Sequence, residues 1–156
     1  MATSQPAPAG DTLRSLREDV TNLMRDLHHA KSALVEEKQR TESEQRKLFL
    51  AMLNVMDNFE RVFGSIEPKL EAAERQAKNW ANSFRSVYKL LSRELGDQGI
   101  VRIDSPDGKA TPGFHNVVET REDLTLESGT IVEVWKQGYM WKDQVLRMAD
   151  VVAVKN

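Results

Sequence analysis

Hydrophobic positions in this chain keep a helical period over its first two thirds and change to short β-rich runs in the last third. Leu13, Leu16, Val20, Leu23, Leu27, Ala30 and Leu34 recur at alternating spacings of three and four, the seam of a heptad sustained over about three repeats. Asp11 or Thr12 is placed to cap its start, with Glu18 and Asp19 in the early turns. Neither proline nor glycine occurs between Gly10 and Gly64, so the pattern predicts an uninterrupted helix from residue 12 to 63, about 75 Å long. The remainder of so short a chain cannot cover a stripe of that length. The stripe needs a partner helix, most simply a second copy of itself.

Continued at the same spacing, the seam meets Glu37, Thr41 and Glu44, and the apolar stripe lapses. Glu36 with Arg40 and Glu42 with Arg46 stand four apart in the favourable acid-first order, each pair contributing a few tenths of a kcal/mol. This stretch reads as a solvated helical spacer, and as the first part of the helix to fray. From Leu48 the apolar face returns wider, through Phe49, Met52, Val55, Met56, Phe59, Val62 and Phe63, a width suited to a bundle. Gly64 and Pro68 bracket an expected turn. A second helix is predicted over residues 69–95 from Leu70, Ala73, Ala77, Trp80, Phe84, Val87, Leu91 and Leu95, with Gly96 and Gly99 ending it. Two such helices from each of two chains would form a four-helix bundle. The expected dimer interface is Leu13, Leu16, Val20, Leu23, Leu27 and Leu34 along the heptad, then Leu48, Met52, Val55 and Phe59.

From Ile100 the chain reads as strands punctuated by turns: 100–103, the turn Ser105-Pro106-Asp107-Gly108, then Val117-Val118, 130–135, 145–147 and 151–154. The expected fold class is therefore α+β, with a long N-terminal coiled-coil helix and a second helix forming a dimeric four-helix bundle, followed by a small C-terminal antiparallel β domain. Its expected divisions are a disordered lead over 1–10, a long dimeric coiled-coil helix over 11–47, a helical-bundle region over 48–99 and the β domain over 100–156.

Composition narrows the function. Of the 156 residues, 40% are hydrophobic and 29% charged, which fits much exposed helix better than one compact ball. A net charge of -2 leaves no electrostatic footprint for nucleic acid or an anionic membrane. No run of 18 apolar residues exists to span a bilayer, and the opening residues resemble neither a signal nor a transit peptide. The cytoplasm is the expected location. The chain has no cysteine, which removes disulfides, thiolate catalysis and cysteine zinc sites.

Candidate chemistry is sparse. His28 and His29 are adjacent on a helix and diverge by about 100°, so they cannot share a metal as an i, i+4 pair could. His115 reads as a hydrogen-bonded structural histidine, because no nucleophile motif accompanies it. Phosphate-cradling glycine motifs are absent. The expectation is a protein with no catalytic residue, no metal and no cofactor, which acts by touching another protein.

Two segments carry a resemblance. Leu53-Asn54-Val55-Met56-Asp57-Asn58-Phe59-Glu60-Arg61-Val62 is similar to the helix signature of the GrpE family, the nucleotide exchange factors of DnaK-type chaperones. Gly129-Thr130-Ile131-Val132-Glu133-Val134, Lys136-Gln137-Gly138-Tyr139 and the run from Val145 through Arg147 to Val154 resemble that family's terminal signature in order and spacing. Pro112 and His115 keep the spacing of a third family motif. The departures are Ala110 and Thr111 in place of Phe-Asp, Asn116 for Glu, Asn54 and Met148 for Pro, and Ser83 for Gly.

The resemblance implies a homodimer with paired long helices, a central bundle and two β domains. One β domain would engage the ATPase domain of a DnaK-type chaperone and favour an open nucleotide cleft, so that ADP leaves. It also implies a partner face around Gly138, Tyr139, Gln144 and Arg147 on the β domain, with Asp57, Asn58 and Arg61 on the helix. Each residue has a plainer reading: Gly138 as a turn residue, Tyr139 as core, Arg147 as a strand-exposed charge, Asp57 with Arg61 as an intrahelical pair. Trp135 and Trp141 suit a small β core and an interface equally. The alternative function is a structural coiled-coil adaptor whose β domain binds some other protein.

Overall fold

A computed structural model describes residues 9–70 and 73–156. The expected lead over 1–10 falls outside these residues except at its last two positions, which already belong to the first helix. Helix α1 runs Ala9–Leu70 and α2 Arg75–Asp97; six strands follow, β1 Ile100–Arg102, β2 His115–Arg121, β3 Ile131–Lys136, β4 Tyr139–Trp141, β5 Gln144–Arg147 and β6 Ala149–Val154. The chain divides into two compact units, Met1–Gln45 and Arg46–Asn156.

In the first unit the described heptad positions are uncovered: Leu13, Leu16, Leu23, Leu27 and Leu34 each keep more than half of their surface exposed, and Val20 nearly half. In the spacer Arg40 pairs with Glu44 at 3.1 Å, the base-first order, rather than with Glu36 as expected.

In the second unit α1 continues through Gly64 and Pro68 to Leu70, where the sequence predicted a turn. Proline costs least near a helix end, where it breaks a single i to i-4 bond. Packing against α2 offsets that loss: the Phe63 ring meets Tyr88 at 5.7 Å, and Glu67 pairs with Arg85. The second helix consequently starts at Arg75, six residues later than expected. It ends where Gln98 caps it and Gly99 takes a left-handed φ of 79°, the backbone state that glycine supplies at helix ends.

The wide apolar face after Leu48 is divided between two tasks. Phe49, Leu53 and Met56 are buried with Leu95, Ile100, Tyr139, Trp141 and Leu146 in one core, where α1, the end of α2 and the first sheet meet. Leu48, Val55 and Val62 stay exposed, and Met52 and Phe59 are half-buried.

The strands form two three-stranded sheets, ordered β1-β4-β5 and β2-β6-β3. The first is antiparallel throughout. In the second, β3 pairs antiparallel with β6, but β2 runs parallel to it, a correction to the all-antiparallel expectation. A parallel neighbour needs a long crossover, and the segment carrying β3, β4 and β5 supplies it. Strand β6 lies in the middle of its sheet with Val151 and Val152 fully buried, which explains its unbroken apolar run. Strand β4 was not expected. Its hairpin to β5 turns on Lys142 and Asp143 at φ 50° and 60°, without the Asn-Gly pair that normally announces such a turn.

Candidate functional site

The elements of the second unit leave an open groove of about 740 Å³ between α1 and β3. One wall is a single helical stripe, Asn54, Asp57, Asn58, Arg61 and Gly64, together with Glu60; the other is Glu133, Val134, Trp135 and Lys136. Side chains alternate across a strand, so four consecutive lining residues place the groove along the edge of β3 rather than on one of its faces. Trp135 is 54% exposed there. Trp141 is buried and meets Phe49 edge-on at 5.1 Å, so the two tryptophans, equivalent by sequence, separate into surface and core.

The groove's carboxylates are neutralised locally. Asp57 receives two hydrogen bonds from Arg147, at 2.7 and 2.8 Å, and Lys136 approaches it at 3.8 Å. Glu60 accepts from Arg102 at 3.2 Å and from the Tyr88 hydroxyl, while Glu133 accepts from Arg121 at 2.9 Å. Burial, reinforced by the hydrogen bond to Glu60, holds the Tyr88 phenol far above its usual ionisation range. Arg61 donates to the Asn58 side-chain oxygen at 2.6 Å, and Asn58 to the Asn54 carbonyl. The intrahelical partnership open to Asp57 and Arg61 is not the one adopted.

The expected partner residues fall into two groups. Asn58 and Arg61 lie exposed in the groove, and Gln144 is exposed at the β4-β5 turn. Gly138 and Tyr139 are buried. Arg147 is not a strand-exposed charge: its side chain is 13% exposed, paired with Asp57 and bonded to the Gln137 carbonyl at 3.1 and 2.7 Å. It is a strut between strand and helix. The missed lining residues, Glu133 and Lys136 above all, lie in the run that resembles the family's terminal signature, but nothing marked them as site residues, because alternation puts neighbours in a strand on opposite faces and cannot foresee a groove at its edge.

A second, apolar groove of about 310 Å³ runs between the helices, lined by Val55, Phe59, Val62, Phe63, Ile66 and Phe84 with Asn58. Two of these, Val55 and Phe59, belong to the expected dimer interface. Elsewhere, Nε2 of His115 lies 2.6 Å from the Ser105 hydroxyl, and its Nδ1 accepts from the Thr111 N–H at 3.0 Å. Its ring thus ties the Ser105 turn to the start of β2. His28 and His29 are exposed on α1. Among the described residues no group of three His, Asp or Glu is arranged to hold a metal ion, and no helix is long and apolar enough to cross a membrane.

Comparison with known proteins matches residues 7–155 to the family model described as GrpE. Curated relatives carry the name Protein GrpE. That of Chlamydia trachomatis serovar L2 is 27% identical, over 98% of this chain and 86% of its own length. That of Bacillus cereus is 32% identical, over 88% of this chain and 67% of its own. That of Sulfurimonas denitrificans is 31% identical, over 91% and 76%.

Proposed function

Because this chain belongs to the GrpE family, we propose that it is a co-chaperone that binds the ATPase domain of a DnaK-type chaperone as a homodimer and accelerates ADP release. The reaction needs no catalytic residue. A rigidly presented surface that binds the open cleft about 4 kcal/mol more tightly than the closed one would bias opening about a thousandfold. The observation that carries this reading is the docking of the first sheet on α1, through one buried core and flanking arginine pairs, which leaves a firmly held β surface with its groove open.

Dimerisation is supported by the uncovered stripe. Six large hydrophobics of the stripe on the first part of α1 and the face around Val55 and Val62 stand exposed in the single chain, and burying a leucine or valine is worth about 1.5–3 kcal/mol. The proposed contacts are Leu13, Leu16, Val20, Leu23, Leu27 and Leu34, with Leu48, Met52, Val55 and Phe59 in the bundle. Direct chaperone contacts are assigned to Asn58, Arg61 and Gln144, whereas Gly138, Tyr139, Asp57 and Arg147 hold the face from behind. The proposed location is the cytoplasm, beside that chaperone.

Release of labelled ADP from a DnaK-type chaperone tests the reading. The protein is expected to accelerate release, and Arg61→Ala with Gln144→Ala to weaken the effect without changing light-scattering mass. No acceleration by the unaltered dimer would overturn it in favour of a coiled-coil adaptor, and a monomer at micromolar concentration would remove its architectural basis.

A further inference from the structure

We infer that Arg147 is a positioning residue, which sets the angle at which the second sheet is presented relative to α1. The inference deepens the exchange reading and rests on it. Phe49, Leu53 and Met56 dock the first sheet on α1, but apolar contact is non-directional and leaves a sheet free to slide or turn on a helix. Directional bonds remove that freedom. Arg46 reaches from the helix to the Val145 and Leu146 carbonyls at 2.9 and 2.8 Å. Three turns further along α1, Arg147 reaches back from β5 to grip both oxygens of Asp57. The planar fork of a guanidinium fixes orientation as well as distance, which an ammonium cannot do.

The remaining bonds of Arg147 make it more than a second strut. Its Nε and Nη2 both donate to the carbonyl of Gln137, which lies between the end of β3 and the start of β4, where the chain leaves the second sheet for the first. One side chain therefore joins the helix, the first sheet and the junction to the second. Lys136, the last residue of β3, approaches the same Asp57, and the Arg147 guanidinium lies 5.6 Å over the ring of Tyr139. With four of its five N–H donors engaged and little of its surface exposed, Arg147 has little left to offer a partner directly. Its effect must pass through the geometry it holds.

Because the chain has no native cysteine, spin labels on Ser65→Cys and Thr120→Cys report the distance from α1 to the second sheet, in labelled protein diluted with unlabelled chain. The unaltered protein is expected to give one narrow distribution. Arg147→Met, matched in length but without the fork, should broaden it and lower the plateau of ADP release at saturating protein about fivefold or more. A merely structural loss would reduce the folded fraction, which moves the half-maximal concentration and leaves the plateau. Arg147→Lys, which keeps the charge, should fall between the two and carries the same test if Arg147→Met does not fold. A distribution that stays narrow in both variants overturns the inference, as does a broadened one with an unchanged plateau. If the unaltered protein accelerates no release, the exchange reading fails, and the distance measurement by itself still decides whether Arg147 sets the angle.

Discussion

Gly138 lies so close to Ala149 that a Cβ on it would stand 2.6 Å from the Ala149 backbone nitrogen, and 2.9 Å from Cδ1 of Ile103. The glycine is therefore a spacer between the end of β1 and the start of β6, and its carbonyl accepts the Ile103 N–H at 2.9 Å. Backbone cannot yield as a flexible side chain can. Gly138→Ala is expected to destabilise the second unit by about 2 kcal/mol through overpacking, read as a lower denaturant midpoint at an unchanged slope. A midpoint equal to that of the unaltered protein would show that the sheets part easily at this point.

Truncating the strut has a different cost. Arg147→Ala leaves Asp57 with only the more distant Lys136 and leaves the Gln137 carbonyl without its two guanidinium bonds. Breaking one side of a largely buried ion pair costs about 3 kcal/mol, at the lower end here because Asp57 keeps 24% of its side-chain surface exposed. Chemical denaturation of the second unit, followed by tryptophan fluorescence, checks this. A loss below about 0.5 kcal/mol, typical of exposed pairs, would mean that the pair is solvated.

Tyr88 and Tyr139 are the chain's two tyrosines, and neither is expected to ionise near its ordinary value of 10.0 in the folded protein. Burial raises both phenols; for Tyr139 the neighbouring Arg102 guanidinium acts in the other direction without cancelling it. A pKa raised on folding contributes stability that is fully present below the unfolded value and is lost as pH rises through the folded one. Tyrosinate absorbance should therefore stay flat through pH 10 and appear together with loss of structure at more alkaline pH. Reversible ionisation of either tyrosine at pH 10, with circular dichroism unchanged, would contradict this.

Heat should act first on the helical segment before Arg46. Glu37, Thr41 and Glu44 interrupt its seam, and the first unit contains no buried side chain among its described residues, so little resists fraying there. Far-ultraviolet circular dichroism is expected to show a helical loss before tryptophan fluorescence reports unfolding of the second unit. If the exchange reading holds, activity falls reversibly with that first step. A single transition common to both probes would contradict the expectation.

Local order was legible because it rests on periodicity. The spacing of Leu13 to Leu34 announced a helix with an uncovered stripe, the absence of proline and glycine after Gly10 announced its continuity, and the motif from Leu53 to Val62 announced the family. Where the sequence misled, packing outweighed a local preference: contacts of Phe63 and Glu67 with α2 carried the helix past Gly64 and Pro68. Strand β4 escaped notice because Lys142-Asp143 turns without glycine. The direction of β2 beside β6 is set by the path of the whole intervening segment, which no local pattern encodes.

The functional residues divide along the same line. Asp57 and Arg147 are 90 positions apart, and nothing in either neighbourhood specifies that a strand's arginine will close on a helix carboxylate instead of facing solvent. Sequence by itself determined the two helices and most of the strands, the apolar stripe and the residues worth suspecting, since these depend on neighbours a few positions away. Tertiary structure alone decided which suspects face outward and which hold the face in place, because burial and ion pairing depend on where distant segments meet in space.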